Sequence, residues 1–157
     1  MNKTVKLIIA IAIPLAVGAT SGFFTVTGVT SWYQTINKPS WNPPSWLFGP
    51  VWTTLYIIMG IALYIVWKSP VNDKLKKTAI TLFAIQLVLN FFWSFIFFDQ
   101  HQPGWALVEI IMMWVFILLT IFSFARVSKT AAWLLVPYIS WVSFATILNY
   151  TIWKLNS

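Results

Sequence analysis

The sequence predicts an all-α fold: an integral membrane bundle of five transmembrane helices. Apolar residues make up 59% of the 157 and charged residues only 8%, with a mean hydropathy of +0.79, too little charge to cover a water-soluble surface. Five nearly uncharged segments each approach the roughly 20 residues that a helix needs to cross a bilayer. The ten Lys and Arg residues cluster at the ends of those segments, where basic side chains set orientation and meet anionic headgroups. A net charge of +7 therefore points to membrane lipid as a partner and not to nucleic acid. The length fits a single domain spanning residues 1–157.

The first predicted helix covers residues 7–27, behind Lys3 and Lys6. Its charged start, apolar run and Val17-Gly18-Ala19 triplet also fit a signal peptide, but the run is longer than a signal core, which favours a retained helix. Gly18 and Gly22 form a GxxxG pair that allows close approach by another helix or a flat ligand. An ordered loop over residues 28–45 follows. It leads into the densest stretch of the chain, residues 38–52, KPSWNPPSWLFGPVW, with three tryptophans and four prolines. Proline fixes its own φ and disfavours helix for the residue before it, so this stretch is stiff. It reads either as a lid over a ligand site or as an aromatic anchor at the membrane interface.

The second helix covers 46–67 and ends at Lys68. The third, 78–98, follows Lys74, Lys76 and Lys77. The fourth, 104–125, starts after Gln102-Pro103 and stops at Arg126, and the fifth, 130–153, is capped by Lys154. Lys3, Lys6, Lys68, Lys74, Lys76, Lys77, Arg126 and Lys129 fall on one side, and only Lys38 and Lys154 on the other. This bias predicts a cytoplasmic N-terminus and a C-terminus outside. The odd helix count argues against two equal inverted repeats.

Ordinary catalytic parts are scarce. Cysteine is absent and His101 is the only histidine, set in a short loop. No cluster has metal-ligand spacing and no glycine-rich loop could cradle phosphates. Glu109 reads as an acid near the start of the fourth helix, pairing with the helix dipole and the interface. No hydrolase or phosphotransferase is visible.

What remains is aromatic and amide. Of eleven tryptophans, Trp46, Trp67, Trp105, Trp133 and Trp153 fall at helix ends, as interfacial belts require. Trp52 lies about two turns below the loop, and Trp114 and Trp141 lie near mid-bilayer, where each indole N–H seeks a partner. Gln86, Asn90 and Trp93 share one face of the third helix. Interhelical hydrogen bonding and ligand contact are evenly balanced readings of that face. Trp141, Phe144, Ala145 and Leu148 share a face of the fifth. A pocket of indoles, phenyls and a few amides suits a large, flat, apolar molecule. Leu148, Tyr150 and Lys154 also fit a sterol-contact pattern, a weak motif that many helix ends match.

The stretches WYQTINKPSWNPPSWLFGPVWTTLYIIMG, LNFFWSFIFF, GWALVE and PYISWVSFATILNYTIW resemble the tryptophan-rich sensory protein or translocator protein family, formerly the peripheral benzodiazepine receptor. They cover most of the chain beyond the first helix, in the family's order and spacing. The resemblance implies a five-helix bundle, usually a homodimer, that acts as a receptor. Its ligands would be porphyrins such as protoporphyrin IX, and apolar drug-like molecules of the isoquinoline carboxamide and benzodiazepine types. Cholesterol binding is a property of the animal members. Some bacterial members promote light-dependent breakdown of protoporphyrin, and the two tryptophans of that chemistry match Trp52 and Trp141. Ligand-binding positions match Gly22, Tyr33, Pro43, Trp52, Asn90, Trp93, Trp141, Ala145 and Leu148, with Lys154 as the basic end of the sterol segment. Glu109 stands where some relatives carry Asp. The expected setting is a bacterial cell membrane, with no cofactor required and porphyrin as ligand or substrate. The alternative is a tetrapyrrole or lipid transporter, or a stress-sensing regulatory membrane protein acting through a partner.

Overall fold

The computed structural model describes residues 1–157; its regular structure is all helix, with no strands. Helix α1 (Lys3–Val29) starts at the Asn2 cap, whose side chain accepts from the Val5 N–H (2.8 Å). A short α2 (Trp32–Thr35) sits within the predicted loop, so the irregular part shrinks to residues 36–44. One tight turn, Ser45–Leu47, leads into α3 (Phe48–Lys68). Helix α4 (Asp73–Ser94) is capped by Asn72 and continues as one wider turn over Phe95–Asp99. Helix α5 (Pro103–Ala125) places proline at its start, where a missing N–H costs nothing. The fifth crossing is not one helix: α6 (Lys129–Leu134) and α7 (Val136–Leu155) meet at Leu135. Pro137 supplies no N–H to the turn before it, which breaks the ladder there.

Five spans are long and apolar enough to cross a membrane: Lys3–Thr35, Ser45–Lys68, Asp73–Asp99, Pro103–Ala125 and Lys129–Leu155. The chain is thus an all-α integral membrane protein. Helix α1 packs mainly on α3, α4 on α5, and α5 on α7. Lipid tails offer no hydrophobic force between helices, so contact quality and interhelical hydrogen bonds decide this arrangement.

The α1–α3 contact shows how. Pro14 lies inside α1 and is buried; lacking an N–H, it leaves the Ala10 carbonyl without its helical donor. Gly60 of α3 lies against that carbonyl, so close that a Cβ there would come within 2.8 Å of the Ala10 oxygen and 2.5 Å of the Ile11 Cα. Glycine is the residue that lets the two backbones meet at that point. Further along, the Tyr56 ring lies over Gly18 and fills the space its Cβ would take.

Candidate functional site

Ser21, Tyr56, Gln86, Asn90 and Tyr138 meet in one clasp in the interior. Tyr56 on α3 donates to Asn90 Oδ1 (2.6 Å), and Asn90 Nδ2 donates to the Tyr138 hydroxyl on α7 (2.8 Å). Tyr138 in turn donates to Gln86 Oε1 (2.7 Å), and Tyr56 lies 3.4 Å from Ser21 Oγ of α1. Four helices are tied through one amide, with every bond shielded from water. A second clasp joins Trp93 Nε1 to Asn149 Oδ1 (2.9 Å), while Asn149 Nδ2 donates to the Pro103 carbonyl (2.8 Å). Trp114 donates to Ser143 Oγ (2.8 Å). Asn90 thus has both ends of its amide engaged by protein.

Above the first clasp, the ends of α1, α3 and α4 and the middle of α7 enclose an aromatic chamber. Tyr33, Trp52, Trp93, Trp141, Ala145 and Leu148 all line it, together with Phe48, Phe97, Phe98 and Phe144. Phe48 and Trp52 arrive there because they stand one turn apart on α3. The rings form a continuous wall: Trp52 and Trp93 centroids are 6.3 Å apart, Trp93 and Phe97 5.6 Å, Phe48 and Trp141 6.4 Å, and Trp141 and Phe144 5.3 Å. The free volume inside is only about 20 Å³, room for little more than one water molecule. Trp141 lines the chamber, and its buried Nε1 has no acceptor in the protein.

A wider cavity of about 450 Å³ adjoins it between α1 and the start of α3, and the two share Thr25, Phe48 and Trp52. Gly22 lines this outer cavity. Pro43 is half-buried in the loop, and neither Pro43 nor Asn90 lines either space. The sterol-like set divides: Leu148 faces the chamber, whereas Tyr150 and Lys154 are exposed, with the Lys154 ammonium 5.1 Å from the Trp153 ring.

The loop over residues 36–44 is fastened across the top. Tyr33 donates to Asn42 Oδ1 (2.5 Å), Lys38 Nζ donates to the Tyr33 carbonyl (2.6 Å), and the Trp41 ring meets Phe144 at 5.9 Å. The Asn37 N–H donates to Asn156 Oδ1 (2.9 Å) and Asn156 Nδ2 donates back to the Asn37 carbonyl (2.8 Å). His101, with a φ of 55°, stacks on Trp32 at 4.6 Å. Both residues that sequence reasoning passed over here, Asn37 in the loop and Asn156 near the C-terminus, are single amides in short polar stretches, a pattern without a signal of its own.

Glu109 departs from its expected place. It is 6% exposed, and neither carboxyl oxygen has a hydrogen-bond partner. It shares the inward face of α5 with Ala106, Ile110 and Met113, all fully buried, because a spacing of three to four residues turns these side chains to one side. No group of three or more metal-ligating residues is present.

Comparison with known proteins places these residues in context. The model of the TspO/MBR family matches residues 10–154. The "Tryptophan-rich protein TspO" of Chlorobaculum tepidum is 50% identical over 99% of both chains. The human "Translocator protein" is 43% identical over 80% of this chain and 75% of its own, and "Protein CrtK" of Rhodobacter capsulatus is 34% identical over 88% and 85%.

Proposed function

Because the chain belongs to the TspO/MBR family, we propose that it is a membrane receptor for porphyrin, with protoporphyrin IX as the type ligand, and for isoquinoline and benzodiazepine-type apolar molecules. The observation that carries this reading is the aromatic chamber: Tyr33, Trp52, Trp93, Trp141, Ala145 and Leu148 converge on it from four separate spans. Flat apolar ligands stack on such rings, and the unpartnered Trp141 N–H would meet a carbonyl or carboxylate at the ligand's edge. The chamber must widen for this, since ligand pockets usually measure about 300–1,000 Å³. Under illumination Trp52 and Trp141 would be oxidised by, or intercept reactive species from, the excited porphyrin; no general acid or base is required. The same reading sets the N-terminus in the cytoplasm of a bacterial cell, the C-terminus outside, and two copies together as a homodimer.

The test is a protoporphyrin titration of the purified protein in the dark, followed by illumination. Saturation near one porphyrin per chain supports the receptor, and linear quenching ends it. Decay that is unchanged at equal occupancy in the Trp52→Phe, Trp141→Phe double variant removes the photochemical role and leaves binding intact. Flux of porphyrin into sealed vesicles would replace a receptor with a transporter.

A further inference from the structure

The chamber is bounded differently on its two sides. On the loop side, residues 36–44 are fastened to Tyr33 by Asn42 and Lys38, and to the end of α7 by the reciprocal Asn37–Asn156 pair. On the lipid side, α1 and the start of α3 part. A Cβ added at Gly22 or Gly49 would meet nothing within 4 Å, and Val26 and Trp46 beside them are 63% and 71% exposed. The space between these helices is the cavity of about 450 Å³, and it touches the chamber at Phe48 and Trp52. Its size falls within the range of roughly 300–1,000 Å³ for small-molecule sites.

We infer that apolar ligands reach the chamber sideways from the bilayer, through the groove between α1 and the start of α3, with Phe48 and Trp52 as the partition they must displace. This rests on the receptor reading above and adds the route to it. The groove lining is mixed: Leu15 and Trp46 beside the hydroxyls of Ser21, Thr25, Thr53 and Tyr56. That mixture suits a flat apolar molecule with polar groups on its edge, which concentrates in the bilayer interface before it binds. A route through the loop would have to break at least four hydrogen bonds first; between the groove and the chamber stand the side chains of Phe48 and Trp52.

The experiment measures protoporphyrin IX association and dissociation rates by stopped flow in phosphatidylcholine nanodiscs. It compares the wild type with Gly49→Phe and Thr53→Phe, which fill the groove from exposed positions on α3, and with Asn156→Ala, which unfastens the loop. The two groove variants are expected to slow association and dissociation together, by about tenfold, with Kd unchanged, because an obstacle in a path affects both directions. Asn156→Ala is expected to leave both rates as they are. Faster exchange in Asn156→Ala with normal rates in the groove variants would overturn the lateral route. So would weaker binding through dissociation alone, which makes the groove a contact surface, or no change in any variant, which leaves it to lipid or to a second copy of the chain. A wild type that does not saturate would sink the receptor reading itself, a result distinct from all of these.

Discussion

Helices α1 and α3 are joined at one end and parted at the other, and the same residue type stands at both. At Gly60 the backbones meet so closely that a methyl group has no place, and the α3 backbone covers the carbonyl that Pro14 leaves free. At Gly22 and Gly49 the same hydrogen side chain borders open space. Glycine in a membrane helix therefore has two opposite uses. It brings backbones together where their axes converge, and it leaves a hollow where they diverge. The clasp of Ser21, Tyr56, Asn90, Tyr138 and Gln86 sits between these regions, where the buried polar bonds hold the helices against further parting.

The largest expected effect tests that contrast directly. Gly60→Ala should destabilise the protein by about 1–3 kcal/mol, the usual cost of overpacking, whereas Gly22→Ala should stabilise it by about 0.5–1 kcal/mol because alanine loses less backbone freedom in a helix. Equilibrium unfolding in mixed micelles reads both, and equal effects at the two sites would break the comparison. Next in size is Asn90→Ala, which removes the acceptor of the Tyr56 hydroxyl and the amide donor to Tyr138. A loss of about 1–2 kcal/mol is expected, since interhelical hydrogen bonds in membranes are of modest net strength. A neutral result would mean that packing alone holds the middle of the bundle. The smallest effect belongs to Asn156→Ala. It removes an exposed pair worth about 1 kcal/mol or less, and should speed amide exchange in residues 36–44 while global stability stays level. Unchanged exchange would show that Tyr33 and Lys38 hold the loop by themselves.

Much of this was legible beforehand, for reasons that can be traced to particular residues. The five spans follow from apolar runs bounded by Lys68, Lys74, Arg126 and Lys129, because hydropathy is a local sum. The aromatic stretch 38–52 marked a loop that proves to be fastened to Tyr33 and Phe144 at the edge of the chamber. The pair Gly18 and Gly22, by contrast, read as one motif of close approach and proved to be two environments: both border the cavity, but a tyrosine ring lies against the first and nothing lies within 4 Å of a Cβ at the second. Asn90 reads evenly as glue or ligand contact, and in the structure Tyr56 and Tyr138 hold both ends of its amide. Glu109 read as an interfacial acid, yet its side of α5 turns inward and its oxygens are unpartnered. The single fifth helix divided at Leu135, a break that Pro137 made available.

The sequence by itself determined that this chain belongs in a membrane and forms five helices long and apolar enough to cross it. Those are properties of composition and local periodicity, and each is complete within a few turns of chain. Only the tertiary structure decided which helices converge and which part, which amide is spent on the bundle, and which indole is left with an unused donor. Those depend on the meeting of residues tens of positions apart, as Tyr56 meets Asn90 and Trp93 meets Asn149. In a bilayer that meeting is governed by van der Waals fit and a few buried hydrogen bonds between faces that all look equally apolar when read along one helix.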